Sequence, residues 1–143
     1  LRLFGAYYDD PLDPDELASL LPRHITTQGE LNKNIGVDWL RIGIELRQLL
    51  DDVRYQVEHA SLPPDEIAVR LHHRLVAIHP FANGNGRHAR LLADLLVVRL
   101  SQPRFTWGSR NLVDAGATRQ AYIAALQAAD ARDYAPLLAF ARS

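Results

Sequence analysis

No cysteine occurs in the chain, which excludes a disulfide framework and any thiolate-held metal. Methionine is missing as well, initiator included, so the sequence is expected to be a trimmed form of its gene product. Charge of one sign is also lacking: 16 Lys and Arg stand against 17 Asp and Glu, a formal net charge of −1. That balance gives no polyelectrolyte reason to expect nucleic acid or an anionic membrane as a partner. No apolar run approaches a membrane span, and nothing at the start resembles a signal peptide. With the absent cysteines, this fits a reducing, cytoplasmic setting. What remains is ordinary globular composition, 48% apolar over 143 residues, enough for one domain with its own core.

The periodic segments are helical, and the expected fold is an all-α bundle forming one domain over residues 1–143. Asp13-Pro14-Asp15-Glu16 opens a short helix, with Asp13 as N-cap and Pro14 in the first turn. Asp38 caps a longer helix in which Ile42, Leu46, Leu49, Val53 and Val57 share a face, stopped by Leu62-Pro63-Pro64. Residues 65–78 form the next, with a stripe of Ile67, Leu71, Leu75 and Ile78. Residues 87–100 are apolar almost all round, which predicts the buried centre of the bundle. Helices near 118–129 and 133–142 complete the chain, the last tolerating Pro136 in its first turn.

The most informative stretch is His79-Pro80-Phe81-Ala82-Asn83-Gly84-Asn85-Gly86-Arg87-His88-Ala89-Arg90. His79 closes a helix at its C-terminal end, where the macrodipole favours an imidazolium. Pro80 fixes the exit direction, and Phe81 is an apolar plug expected to anchor the loop in the core. Gly84 and Gly86 permit backbone angles that let consecutive amides face one anion. Arg87 sits in the first turn of the following helix, where a cation is disfavoured unless an anion compensates it. Arg90 lies on the same face. An amide nest with two guanidiniums suits a polyphosphate, and the imidazole at its rim adds acid–base chemistry. Taken singly, each of these features fits a solvated helix corner; the joint arrangement points to an enzyme acting on a nucleotide.

This stretch resembles the motif of the Fic (Fic/Doc) family, His-Pro-Phe-x-Asp/Glu-Gly-Asn-Gly-Arg-x-x-Arg. His79, Pro80, Phe81, Gly84, Asn85, Gly86, Arg87 and Arg90 match it. The flanks, from Pro11-Leu12-Asp13 through His24-Ile25-Thr26-Thr27 to residues 103–108, are similar to the bacterial mobile mystery protein B group. The resemblance implies a Fic-type bundle and transfer of AMP from ATP to a Ser, Thr or Tyr hydroxyl of a target protein. It implies His79 as general base, an anion hole from the amides of Gly84, Asn85 and Gly86, and an Asn85 side chain that orients phosphates. Arg87 and Arg90 would hold the β- and γ-phosphates. The family's acidic magnesium ligand is replaced by Asn83, which brings an oxygen but no charge. Mg²⁺ is therefore expected to be weakly held or carried by the nucleotide phosphates.

Thr26 and Glu30 fit part of an inhibitory Ser/Thr-x-x-x-Glu-Gly/Asn helix found in many such proteins, whose glutamate pairs with the second arginine, here Arg90. Leu31 departs from that pattern, and a helix N-terminus with Thr27 and Glu30 in a capping box explains the residues equally well. The resemblance also implies several tens of residues, including the flap hairpin that holds the target strand, between Asn32 and Lys33. Here those residues adjoin, so a stretch is expected to be missing. Other readings stay open: transfer of UMP or phosphate, removal of AMP with Glu30 activating water, a non-catalytic regulatory module, or a toxin restrained by an antitoxin partner. His72, His73 and His88 have no acidic neighbour at ligand spacing, which disfavours a metal cluster. Trp39 and Trp107 are expected as core or loop anchors, and Asp51-Asp52 as a solvated face.

Overall fold

The computed structural model describes residues 36–110 and 114–143. The expectations for Asp13–Glu16, Thr26, Glu30 and the Asn32–Lys33 junction lie outside the described residues. A 3₁₀ turn at Trp39–Arg41 leads into α1 (Ile42–His59), followed by α2 (Pro64–Ile78), α3 (Asn85–Arg99), α4 (Ala115–Asp130) and α5 (Ala135–Ala141). The described part of the chain is all-α.

Sequence punctuation explains the boundaries. Asp38 accepts a hydrogen bond from the Leu40 amide, capping the 3₁₀ turn rather than α1 itself. α1 ends where Ala60 turns left-handed, ahead of the Pro63-Pro64 pair. Pro64 opens α2 at the position where a missing N–H costs nothing, and Asp65 and Glu66 follow in the favourable first turn. α4 starts on Asp114, whose side chain accepts from the Ala117 amide at 2.8 Å.

The centre of the described bundle is α2, not α3 as the apolar density of residues 87–100 predicts. α2 packs on α1, α3 and α5. Leu71, Leu75 and Ile78 join Ile42 and Leu49 of α1 and Ala89 of α3 in one core cluster. Ala68 and Val69 face a second, with Ala93 and Val97 of α3, Phe105, Ala125 and Ala129 of α4, and Leu137 and Ala141 of α5. α3 meets α2 through its small residues, while Leu91, Leu92, Leu95 and Leu96 are only half-buried and Val98 is exposed. Small side chains on the contact face let two helices approach closely, and the bulkier leucines then flank that contact instead of filling it.

Two further expectations change. Trp39 is 39% exposed in the 3₁₀ turn and so is not itself a buried core residue. Asp52 is more than a solvated acid: it pairs with Arg74, tying α1 to α2. A second tie joins Arg142 at the end of α5 to Asp65 at the start of α2, with the Arg142 guanidinium 4.3 Å from the centre of the Phe105 ring.

Candidate functional site

The loop between α2 and α3 is built by three local devices. His79 caps α2 in the left-handed region (φ 54°), its amide donating to the Leu75 carbonyl at 3.0 Å. Histidine adopts this conformation more readily than most non-glycine residues. Gly84 is left-handed too (φ 72°) and starts α3 with no side chain capping the first turn. The first amides of a helix have no intrahelical acceptor, so those of Asn85, Gly86 and Arg87 are donors at the positive end of the α3 dipole.

Asn85 does something the sequence reading did not foresee. Its Oδ1 accepts from the Phe81 amide and its Nδ2 donates to the Phe81 carbonyl, both at 2.9 Å, and the residue is buried. The side chain is a clamp across the loop, bonded to both polar groups of the Phe81 backbone, and the residue borders the cleft. Phe81 is half-buried with its ring edge-on to His88 at 4.8 Å, so it anchors the loop to α3 rather than plugging the core. Burial lowers the pKa of His88 below the ordinary imidazole value.

Gly84, Asn85, Gly86, Arg87 and Arg90 come together on one wall of a cleft of about 950 Å³. The opposite side is supplied by Trp107, Gly108 and Ser109 from the α3–α4 loop, by Ala115, Thr118, Arg119, Tyr122 and Ile123 of α4, and by Phe140 of α5. His79, Phe81 and Asn83 are not among the lining residues. Among the described residues no carboxylate pairs with Arg87, Arg90 or Arg119, whereas Arg41, Arg70, Arg74, Arg104 and Arg142 each have an acidic partner. Three cations with no carboxylate partner among the described residues, beside an uncapped helix N-terminus, suit an anion with several negative charges.

The far wall was invisible in the motif. Trp107 lines the cleft and is held there by Asp94, a buried acid of α3 that accepts from the indole N–H at 2.9 Å and from Arg104 Nε at 3.0 Å. The Tyr122 ring centre lies 5.5 Å from the Arg90 guanidinium carbon, and its hydroxyl lies 2.7 Å from His72 Nε2. Burial raises the Tyr122 pKa, against the opposing effect of the Arg90 charge. The only trace of this wall in the sequence is the 3- and 4-residue spacing of Ala115, Thr118, Arg119, Tyr122 and Ile123, which puts them on one helical face.

The remaining histidines have separate partners. His73 Nε2 lies 2.7 Å from Asp130. His72 is fully buried, and that burial, aided by the Arg90 charge, lowers its pKa from 6.5 to about 4. The unfolded chain therefore takes up a proton near 6.5 that the folded chain refuses until about 4. The His72 contribution to stability is complete above the unfolded value and declines as pH falls through this window, by roughly 1.4 kcal/mol per pH unit. Thermal melts from pH 7 to pH 4 should show this decline superimposed on that of other groups, and His72→Gln should flatten it. Parallel curves for the two proteins would contradict it.

The donor set at the turn does not fit a protein-held magnesium ion. Residues 79–90 contain no carboxylate, Asn83 is exposed and outside the cleft lining, and no group of three His, Asp or Glu is placed for a metal among the described residues. Nor is any described helix long and apolar enough to cross a membrane.

Comparison with known proteins agrees with this architecture. The Fic/DOC family profile matches residues 2–97. Proteins named protein adenylyltransferase fic-1 from Caenorhabditis briggsae and Caenorhabditis elegans are each 34% identical over 97 residues, covering 66% of this chain and 18% of the relative. A protein adenylyltransferase Fic from Drosophila virilis is 49% identical over 47 residues, 32% of this chain and 10% of the relative. The solved structure of Fic-1 from C. elegans matches with a TM-score of 0.56 at 28% identity, over 74% of this chain and 29% of that one. The chain thus spans about a fifth of the length of its nematode relatives. The helical architecture, the loop motif and a family match over more than half its length lead to one assignment: the chain belongs to the Fic/DOC family.

Proposed function

We propose that this protein is a protein adenylyltransferase, moving AMP from ATP to a hydroxyl group of a target protein. The observation that carries the reading is the cleft itself: an uncapped α3 N-terminus, Arg87, Arg90 and Arg119 without carboxylate partners among the described residues, and a volume suited to a nucleotide. The names of the matching relatives, which are adenylyltransferases, point the same way.

In the proposed reaction the target oxygen attacks the α-phosphorus. The new O–P bond forms as the bond to the bridging oxygen of the β-phosphate breaks, and pyrophosphate leaves. His79, at the C-terminal end of α2 and half-buried beside the loop, takes the hydroxyl proton. The amides of Gly84, Asn85 and Gly86 stabilise charge on the transferring group, and Arg87 and Arg90 hold the outer phosphates. Rate enhancement comes from positioning and from donors already oriented before the nucleotide arrives. The family generally uses Mg²⁺, but with Asn83 in the turn the ion arrives, in this reading, as part of the nucleotide complex.

Two labelled nucleotides test the proposal. With [α-³²P]ATP, Mg²⁺ and cell lysate, protein should become labelled; with [γ-³²P]ATP it should not. Label from the γ position would replace AMP transfer by phosphoryl transfer. Nucleotide binding with no label from either is the result expected of a non-catalytic module, the reading that Asn83 favours. Asn83→Asp should restore a charged oxygen at the turn and lower the half-saturating Mg²⁺ concentration by about tenfold, the equivalent of ~1.4 kcal/mol. A magnesium titration superimposable on that of the unaltered protein would show that position 83 does not meet the ion.

A further inference from the structure

Arg90 is held in the cleft by an unusual partner. Its guanidinium carbon lies 5.5 Å from the centre of the Tyr122 ring. The tyrosine hydroxyl is in turn 2.7 Å from Nε2 of His72, a fully buried residue of α2. His72 is wedged against the Trp107 ring at 4.7 Å, and the Tyr122 ring packs 5.4 Å from that of Phe140. The guanidinium also lies against the α3 turn: a Cβ on Gly86 would sit 3.4 Å from Arg90 Nη1 and 3.9 Å from the tyrosine oxygen. One chain of contacts therefore runs from the bundle core to the phosphate-facing turn.

The bond between the Tyr122 hydroxyl and buried His72 fixes the tyrosine ring in place. The guanidinium lies at the ring of Tyr122, where a cation is attracted by the aromatic quadrupole. The partner is also neutral. An aspartate in this position would orient Arg90 and cancel its charge; the phenol orients it and leaves that charge for a ligand.

We propose that Tyr122, backed by His72, is a positioning residue for Arg90: the pair fixes the guanidinium over the α3 turn without neutralising it, presetting the cleft for a polyphosphate. The assignment rests on the nucleotide-site reading above and adds α4 and the buried histidine to its machinery.

A double-mutant cycle tests it, with inorganic tripolyphosphate and ATP as probes and calorimetry at fixed ionic strength as the readout. Tyr122→Phe keeps the ring and its packing. It should weaken tripolyphosphate binding roughly tenfold when Arg90 is present and by less than about twofold in the Arg90→Ala background, since residues acting through one another are non-additive. His72→Gln, which retains an acceptor for the tyrosine proton, should bind more tightly than His72→Leu. An equal loss in both Arg90 backgrounds is the mark of a merely structural tyrosine and overturns the proposal, as does undiminished binding by Tyr122→Phe while Arg90→Ala has lost it. Should Arg90→Ala bind both probes as tightly as the unaltered protein, the anion-site reading itself fails, which is a separate and recognisable result.

Discussion

His79→Asn is expected to abolish incorporation of label from [α-³²P]ATP while leaving nucleotide affinity within about twofold. A positioned general base contributes roughly 10²–10⁴ in rate, or ~3–5 kcal/mol of barrier. The two effects should separate because His79 does not line the cleft that carries the arginines. Asparagine is the better replacement because residue 79 is left-handed (φ 54°). Asparagine tolerates that conformation, whereas alanine in it adds backbone strain of about 1–2 kcal/mol that would blur the comparison. His79→Ala should show the same loss of transfer with a lower melting temperature. Equal labelling by His79→Asn and the unaltered protein would remove His79 from the chemistry, whatever the cleft binds.

The second large effect is on stability. Gly108→Ala should lower the melting temperature by several degrees and weaken ATP binding together. Gly108 is buried and left-handed (φ 79°), in the loop that brings Trp107 to the cleft. An added Cβ would lie 3.0 Å from Phe140 Cε2 and Cζ and 3.0 Å from Thr118 Cγ2. Left-handed strain of about 1–2 kcal/mol joins overpacking of about 1–3 kcal/mol. For a domain of this size each kcal/mol corresponds to roughly 3 °C. Because Phe140 and Thr118 both line the cleft, relief of the clash reshapes the ligand wall, which ties the loss of affinity to the loss of stability. Gly43→Ala is the control: its Cβ meets nothing within 4 Å among the described residues and it lies inside α1. There the substitution should stabilise by up to ~1 kcal/mol, since alanine loses less backbone freedom in a helix. A Gly108→Ala protein that melts like the Gly43→Ala control would show that the loop yields freely.

Much of this molecule was legible one segment at a time. The stripe of Ile67, Leu71, Leu75 and Ile78 is buried as its spacing predicts. Pro64, Gly84 and Asp114 stand at the helix starts because each satisfies a local demand of the backbone. The same locality makes the turn before α3 readable: glycine conformations, helix dipoles and arginine spacing are properties of neighbouring residues. Asn85 shows where that reading stops. Its side chain bonds both polar groups of the Phe81 backbone, and only the folded loop could reveal those partners.

The amino-acid order by itself determined the helices, the left-handed glycine break at Gly84 and the cationic, uncapped entrance to α3, because torsional preference, capping and dipole direction act within a few residues. Tertiary structure alone decided that α2 rather than α3 lies at the centre, that Asp94 holds Trp107 at the cleft, and that Tyr122 and His72 stand behind Arg90. These outcomes depend on which side-chain volumes interlock and which buried polar atoms find partners across 13 to 50 residues of chain. Packing complementarity and hydrogen-bond satisfaction at that range are properties of the assembled bundle, and no local pattern encodes them.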